Sequence, residues 1–277
     1  MEKSTHKASL LLEGYNGKAV LLVHGITGTP TELRFIATQL NSAGYTVLCN
    51  MLPGHGSTMG ELKKVAWEEI YVACEKDFIQ LQKRYKQIFV GGLSIGALVA
   101  MHLAYKHPNK VSGIIGFGPT LFYDGWAQYK GRFLLEFIWH IPFLRKTIVV
   151  RESWPYGLKD ETLRDKIDHY YKRITSGKLK DSAASFGTPY FPIACLYQGH
   201  LLSKLVKKEL AAIITPVILF HSDNDDMASV KNSRYIYDRI GSTDKSLILL
   251  ENSYHMITID QDKERVARET VNFLDQI

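Results

Sequence analysis

The segment FVGGLSIGALVA, from Phe89 to Ala100, places Ser94 between glycines in an otherwise apolar run. Its first half has the character of a buried β-strand and its second half that of a helix. A serine at such a sharp turn has a strained backbone, and strand and helix approach so closely that only glycine fits two positions away. Gly92 and Gly96 stand at those two positions. The free amides of the helix N-terminus would favour negative charge developing at the serine hydroxyl.

The same alternation of strand and helix extends over most of the chain. Short apolar runs that end in glycine, serine or a polar turn predict strands covered on both faces. They lie at 18–25, 45–51, 87–94, 111–118, 216–222 and 246–251. Segments with helical spacing lie between and after them, at 31–44, near 59–86, at 95–107, at 229–240 and at the C-terminus. Repeated β-then-α order predicts an α/β fold, a mostly parallel central sheet with helices on both faces.

One long interval interrupts this alternation. Connections in compact α/β domains usually take about 2–6 residues, whereas residues 121–213 separate two predicted core strands. The interval therefore predicts an inserted, mainly helical cap subdomain, with a clear amphipathic helix at 162–174. The core would comprise residues 1–120 and 214–277.

Gly92-Leu93-Ser94-Ile95-Gly96 fits the pattern Gly-x-Ser-x-Gly, and its place between a strand and a helix is the context that a nucleophile elbow requires. A serine hydroxyl needs a base to become nucleophilic. His255 follows the last predicted strand, at the sheet edge where the functional groups of open α/β sheets gather. His24 and His55 lie on similar loops but read as structural turn residues.

The base needs an acid to orient it, and the loop after the strand at 216–222 offers Asp223, Asp225 and Asp226. Such a trio also fits a solvated turn or a weak cation site, but its delivery to the same sheet edge favours a role beside His255. The chain order serine, aspartate, histidine is the one found in α/β-hydrolases. The backbone amides of Ile26, in HGITG, and of Ile95 are the candidate oxyanion hole.

Composition and charge exclude several other classes of protein. The net charge of +6 is spread along the chain without a basic block or a nucleic-acid reader motif, so no nucleic-acid partner is predicted. Cys49, Cys74 and Cys195 lack metal-type or redox spacing, which indicates neither a metal site nor disulfides and suits the cytoplasm. No apolar run is long enough for a membrane span. The predicted chemistry requires no cofactor.

With these residues in place, the chain resembles the α/β-hydrolase superfamily, and within it the small bacterial carboxylesterases related to monoacylglycerol lipases. The similarity rests on LLVHGITGTP (21–30), GYTVLCNMLPGHG (44–56), GGLSIGA (91–97), NDDM (224–227) and SYHMITID (253–260). The resemblance implies a triad of Ser94, His255 and Asp225. It favours Asp225 because the family's acid typically stands three residues after a glycine; here that position holds Ser222, so Asp223 stays an alternative.

The function expected from this resemblance is hydrolysis of short- to medium-chain esters or monoacylglycerols through an acyl-enzyme. Leu93 before the nucleophile favours an esterase, since many true lipases carry histidine there. A thioesterase, lipase or peptidase with the same triad is the alternative, followed by a non-catalytic binding protein.

An apolar cluster in the cap offers three interpretations. It could line an acyl pocket, contact a membrane surface, or form the core of the cap. The cluster comprises Phe133, Leu134, Phe137, Ile138, Trp139, Phe143 and Leu144, bounded by Arg132, Arg145 and Lys146.

Overall fold

The computed structural model describes residues 9–128, 133–152, 154–178 and 187–277, with the backbone alone at 133–136. A seven-stranded sheet forms its centre, in the order β1-β3-β2-β4-β5-β8-β9. All neighbouring pairs from β3 to β9 are parallel, and β1 pairs antiparallel with β3 at one edge. The strands are β1 (Leu10–Leu12), β2 (Lys18–Val23), β3 (Thr46–Cys49), β4 (Gln87–Leu93), β5 (Gly113–Phe117), β8 (Val217–Ser222) and β9 (Lys245–Leu250).

The predicted α/β fold class is confirmed, because helices cover both faces of this mostly parallel sheet. The inner strands are buried along nearly their whole length, as their continuous hydrophobicity predicts. One face packs against α3 (Trp67–Gln82) and α4 (Ile95–Lys106), and the other against α1 (Arg34–Ser42) and α10 (Lys263–Asp275). The carboxyl ends of β2, β4, β8 and β9 therefore reach one edge of the molecule.

Two local features differ from the sequence prediction. Strand β1 was not predicted, because three residues are too few to display a period. The single helix expected near 59–86 is two helices, α2 (Met59–Leu62) and α3. Ala66, between the two helices, is extended. The Glu69 side chain accepts a 3.0 Å hydrogen bond from the backbone amide of Ala66 and so caps the N-terminus of α3.

The interval between β5 and β8 holds four helices and a small sheet within the described residues. Strands β6 (Val149–Arg151) and β7 (Tyr190–Pro192) pair antiparallel, and this pairing was not predicted. A separate apolar cluster of Leu158, Ile167, Tyr171 and Ile174 lies in this interval. Its treatment as a cap subdomain with boundaries at 121 and 213 stays a prediction. The helices are α5 (Phe133–His140), α6 (Pro142–Thr147), α7 (Glu161–Thr175) and α8 (Ile193–Glu209).

The last helices of the chain follow the predicted pattern: α9 (Lys231–Arg239) precedes β9, and α10 follows it. Among the helices that the structure describes, none is long and apolar enough to cross a bilayer.

Candidate active site

Ser94 occupies the turn between β4 and α4, with φ 57° and ψ −117°. This is a left-handed conformation that a non-glycine residue adopts only when the surrounding structure enforces it. Its amide donates a 2.8 Å hydrogen bond to the Phe117 carbonyl at the end of β5. The strain therefore projects the side chain from the carboxyl edge of the sheet, as the sequence motif predicts.

The flanking glycines are required by the close approach of three chain segments. A Cβ atom at Gly96 would lie 2.1 Å from the Val23 carbonyl oxygen, and one at Gly92 would lie 2.4 Å from the Gly96 carbonyl carbon. Both contacts are with backbone, which cannot move aside. A side chain at either position would separate β2, β4 and α4.

His255 lies on the loop after β9 and is paired with Asp225 on the loop after β8. The His255 Nδ1 atom lies 2.8 Å from Asp225 Oδ2, and both side chains are buried. Since a carboxylate oxygen only accepts, Nδ1 carries the proton and Nε2 is left as the basic atom. The structure thus brings two of the predicted residues into the geometry of a base and its orienting acid.

Asp225 is held from two sides. Its Oδ1 atom accepts hydrogen bonds from the amides of Met227 and Ala228 at 2.8 and 2.7 Å. Its Oδ2 atom also lies 3.3 Å from His221 Nε2. His221 is a site residue that the sequence analysis missed; the available signal was its position in β8, four residues before Asp225, on the strand that delivers the acid loop.

The other two aspartates of this loop have different surroundings. Asp223 is exposed, so it is not the partner of His255. Asp226 is buried and accepts hydrogen bonds from the amides of His255 and Gly157 at 3.2 and 3.1 Å. Asp226 therefore connects the histidine loop to the inserted segment, a structural role that the sequence did not distinguish from catalysis.

Burial and charge give neighbouring groups opposite pKa shifts. Burial opposes ionisation of Asp225, but the positive charge of His255 and hydrogen bonds from His221 and His255 outweigh it, so the pKa of Asp225 is far below its ordinary value. Burial alone would lower the pKa of His255, yet Asp225, Asp226 and Glu32 together raise it. Burial and the charge of Asp225 raise the pKa of Asp226 to about 6.

The candidate oxyanion amides lie at the start of α4 and on the loop after β2. Ile95 is the first residue of α4, where an amide has no acceptor within the helix. Ile26 lies on the loop after β2, and its carbonyl accepts a 2.6 Å hydrogen bond from His55 Nε2. His24 bonds the carbonyl of Gly25 and accepts from the Leu52 amide at 3.2 Å. Both histidines are structural, as expected: each bonds a carbonyl of its own loop, Gly25 for His24 and Pro53 for His55, and each also bonds the neighbouring loop.

Glu32 is a buried carboxyl group beneath the oxyanion loop that the sequence analysis missed. It accepts a 3.2 Å hydrogen bond from the Gly25 amide, and burial raises its pKa to about 7. A Cβ atom at Gly28 would lie 1.9 Å from its carboxylate, which explains the second glycine of HGITG. No sequence pattern marked this glutamate, because it stands at the start of an amphipathic helix where acids are common.

A small pocket of about 60 Å³, here called the catalytic pocket, contains Ser94, His255, Ile26 and Glu32 in its lining. It shares part of its wall with a larger cavity of about 930 Å³ between the core and the inserted segment, here called the chamber. Residues common to both walls are Tyr123, Glu152, Phe191 and Met227. The chamber adds Phe122, Trp139, Val150 and Leu196. The site therefore joins a polar reaction centre to a mainly apolar volume.

Among the described residues, Glu152 is the one acid that lines both cavities. Its carboxylate accepts a 2.9 Å hydrogen bond from the Tyr171 hydroxyl. Burial, with the nearby charges of Asp226 and Glu32, raises its pKa to about 8. The group is therefore mostly neutral at pH 7 and contributes a hydrogen-bonding surface rather than a charge.

The predicted apolar cluster of the inserted segment is divided between surfaces. Phe137 and Phe143 are 72% and 73% exposed, while Ile138, Trp139 and Leu144 are partly buried. The side chains of Phe133 and Leu134, and residue Arg132, lie outside the described residues. The cluster is thus not a single packed core; its members serve both the chamber wall and the exterior.

Comparison with known proteins places the chain in a family. The family model described as serine aminopeptidase, S33, matches residues 15–262. A thermostable monoacylglycerol lipase from Bacillus sp. (strain H-257) is 28% identical over 254 residues, which cover 92% of this chain and 89% of that protein. A carboxylesterase from Bacillus subtilis is 24% identical, covering 94% of this chain and 93% of its own length.

Solved structures agree on the fold. The monoglyceride lipase of Saccharomyces cerevisiae, in complex with a substrate analog, superposes with a TM-score of 0.79 at 20% identity, covering 97% of this chain and 90% of that one. Because the family match spans most of the chain and includes the loops that carry Ser94, Asp225 and His255, the protein belongs to the serine aminopeptidase, S33, family of α/β-hydrolases.

Proposed function

We propose that Ser94, His255 and Asp225 are the catalytic triad of a serine hydrolase that cleaves carboxylic esters. The single observation that carries this assignment is the buried Asp225–His255 pair, whose histidine lines the same pocket as a serine on a strained strand-to-helix turn. The enzyme is an ester hydrolase, as are its relatives named monoacylglycerol lipase and carboxylesterase.

In the proposed mechanism, Ser94 Oγ attacks the ester carbonyl carbon while His255 Nε2 takes the hydroxyl proton. Asp225 holds the imidazole by its Nδ1 proton and stabilises the imidazolium that forms. The amides of Ile26 and Ile95 donate to the oxyanion, and each such donor is worth about 10²–10³ in rate. The C–O bond then breaks, and His255 returns the proton to the departing alcohol.

Hydrolysis of the acyl-enzyme repeats these steps with water as the nucleophile. His255 removes a proton from water, the hydroxide adds to the acyl carbon, and Ser94 leaves with that proton. The acid is released and the enzyme is restored. The reaction balances without a metal or an organic cofactor. Within the described residues, no cluster of three metal-ligating side chains accompanies the site.

The chamber supports an apolar acyl chain as the specificity element. Its wall shares four residues with the catalytic pocket, and its aromatic and aliphatic side chains offer a surface for a hydrocarbon. Arg151, Lys207 and Lys231 also belong to its lining. We therefore propose small-molecule esters with short- to medium-chain acyl groups, monoacylglycerols included, as substrates.

Amide hydrolysis, suggested by the family description, is less well supported by the site. An aminopeptidase binds a substrate ammonium group, which calls for an ionised carboxylate near the serine. The candidates here are Glu32 and Glu152, whose burial raises their pKa values to about 7 and about 8. At pH 7 Glu152 is therefore mostly protonated and Glu32 about half protonated, so both are weaker partners for a cation than ordinary carboxylates.

The test is hydrolysis of p-nitrophenyl esters of graded chain length by the wild type and by Ser94→Ala. We expect turnover by the wild type and a loss of at least about 10³-fold in the variant. Matched thioesters and amino-acid p-nitroanilides identify the preferred bond. Equal rates for both proteins would refute the assignment, and faster anilide cleavage would replace the esterase with a peptidase.

We also propose that the protein is cytoplasmic and that its inserted segment makes weak contact with a membrane surface. Phe137 and Phe143 support the second because both are large, apolar and exposed on neighbouring short helices.

A further inference from the structure

The nucleophile hydroxyl has a hydrogen-bond partner that the mechanism does not use. Ser94 Oγ lies 3.0 Å from Thr120 Oγ1, on the segment after β5. Within the described residues this is the one hydrogen bond of the Ser94 side chain, and His255 Nε2 has none. The hydroxyl therefore rests against a threonine rather than against the base.

A second hydrogen bond of Thr120 decides which hydroxyl is the donor between Ser94 and Thr120. Thr120 Oγ1 also donates a 3.2 Å hydrogen bond to the Gly118 carbonyl, which can only accept. A hydroxyl carries one proton. Since the Thr120 hydroxyl proton is used in the hydrogen bond to the Gly118 carbonyl, Ser94 is the donor to Thr120. The proton that His255 must remove thus points at Thr120 in this state.

The fold builds this contact firmly. Strands β4 and β5 are adjacent and in register at Leu93 and Phe117, so the residues that follow them face one another. Ser94 and Thr120 are 8% and 1% exposed, which leaves little access for water to replace either partner. Thr120 also lines the chamber, so a substrate entering from there passes beside the contact.

We propose that Thr120 is a positioning residue that holds Ser94 in a resting rotamer, with its proton turned away from His255 until substrate is bound. Rotation about the Cα–Cβ bond of Ser94 would exchange the threonine oxygen for His255 Nε2, because Ser94 and His255 line the same pocket and Thr120 lines the adjoining chamber. This inference rests on the proposed role of Ser94 as nucleophile.

The resting rotamer of Ser94 affects the pKa of His255. Four carboxyl groups face this imidazole: Asp225 and Asp226 from the loop after β8, Glu32 beside α1, and Glu152 from the inserted segment. A hydrogen bond from Ser94 to Nε2 stabilises only the neutral ring, because the protonated ring has no acceptor there. Removing the competing threonine hydroxyl should therefore lower the pKa of His255.

The experiment is the pH dependence of fluorophosphonate inactivation for the wild type, Thr120→Val and Thr120→Ser. For Thr120→Val we expect inactivation about three- to tenfold faster below neutral pH, the value of one net hydrogen bond. The acid limb of its pH–rate profile should move to lower pH by about half a pH unit or more. Thr120→Ser keeps the hydroxyl and should behave as the wild type.

Thr270→Val is the matched control, because Thr270 is equally buried and its hydroxyl bonds a carbonyl in α10. It should change thermal stability without changing inactivation. An unchanged or slower rate for Thr120→Val, with an unmoved acid limb, would overturn the proposal. A wild type that does not react at Ser94 would instead overturn the proposed function.

A second measurement does not depend on the folding of a Thr120 variant. The imidazole of His255 is titrated by NMR in the wild type and in Ser94→Ala, with its signal assigned by its absence in His255→Gln. If Thr120 holds the serine at rest, the two pKa values should agree within about 0.2. A higher pKa in Ser94→Ala would show that the serine already bonds Nε2, which contradicts the proposal.

Discussion

The core edge and the inserted segment of this enzyme differ in how completely their buried polar groups are paired. At the core edge, Asp225 has two amide donors and two histidines around it, and Asp226 has two amide donors. In the inserted segment, the Trp139 indole nitrogen is buried without a partner in the described residues, and Phe137 and Phe143 face outward.

This difference separates two tasks. The core edge holds charged side chains within hydrogen-bond distance of one another, which requires that each of their polar atoms has a hydrogen-bond partner. The inserted segment encloses a volume of about 930 Å³, for which shape and apolar surface matter more than exact partners.

The strongest test of the core edge compares two aspartates of one loop. Asp225→Asn should lower kcat/KM by about 10²–10⁴-fold, because an amide cannot both hold the Nδ1 proton of His255 and stabilise its charge. Asp223→Asn is the matched control and should stay within about twofold, since Asp223 is exposed. Ester hydrolysis by the purified variants measures both. Similar losses in the two variants would contradict the assignment of the acid.

The second test concerns the buried Glu32 beneath the oxyanion loop. Its pKa is raised to about 7, so the folded state binds this proton more tightly than the unfolded state. The stability contributed by the neutral form is therefore present at low pH and is lost as pH rises towards 7. Glu32→Gln should remove this loss and gain about 2–3 kcal/mol relative to the wild type between pH 5 and pH 8.

Urea denaturation at the two pH values measures the difference. Glu68→Gln changes an exposed carboxyl group and should alter the free energy of unfolding by less than about 0.5 kcal/mol at both pH values. A Glu32→Gln effect that does not depend on pH would mean that Glu32 is ionised in the folded protein.

The third test moves to the chamber. Leu196 is buried in its wall, and Leu196→Trp should fill part of the volume. We expect kcat/KM for an octanoate ester to fall about tenfold, the value of one to two lost methylene contacts, while the acetate ester is unaffected. Leu196→Met conserves volume and serves as the control. Equal losses on both esters would show that the chamber does not hold the acyl chain.

The smallest effect is expected at the outer surface of the inserted segment. The double variant Phe137→Ser, Phe143→Ser should lose co-sedimentation with liposomes at low salt and keep its rate on p-nitrophenyl acetate. Val72→Ser removes an exposed apolar side chain from α3 and should leave liposome binding unchanged. Absence of binding by the wild type would remove the membrane contact altogether.

The two regions also differ in how far the sequence predicts them. In the core, buried parallel strands leave long apolar runs, and the Gly-x-Ser-x-Gly motif marks the point where β4 meets α4, so fold class and candidate nucleophile follow from local patterns. In the inserted segment, β6 and β7 are three residues each. Three residues are too few to show a periodicity. The pairing of these strands also depends on contacts between distant parts of the chain, which no local pattern reveals.

Within the site, the residues that local patterns missed are those whose roles are set by neighbours in space. His221 looks like an ordinary member of an apolar strand, and Glu32 like an ordinary acid near a helix start. Each acquires its role from a partner that only folding supplies, Asp225 for the first and the Gly25 amide for the second.

The sequence alone determined the alternating α/β pattern and the motifs that resemble those of α/β-hydrolases. It also determined a set of candidate residues on loops that follow parallel strands and must therefore lie at one edge of the sheet. By position alone it left Asp223, Asp225 and Asp226 as candidates, and the family resemblance favoured Asp225 with Asp223 as the alternative. The tertiary structure distinguished the three by burial and hydrogen-bond partners, because those partners come from loops far apart in the chain. The same holds for the contact between Ser94 and Thr120, which exists because two neighbouring strands end side by side.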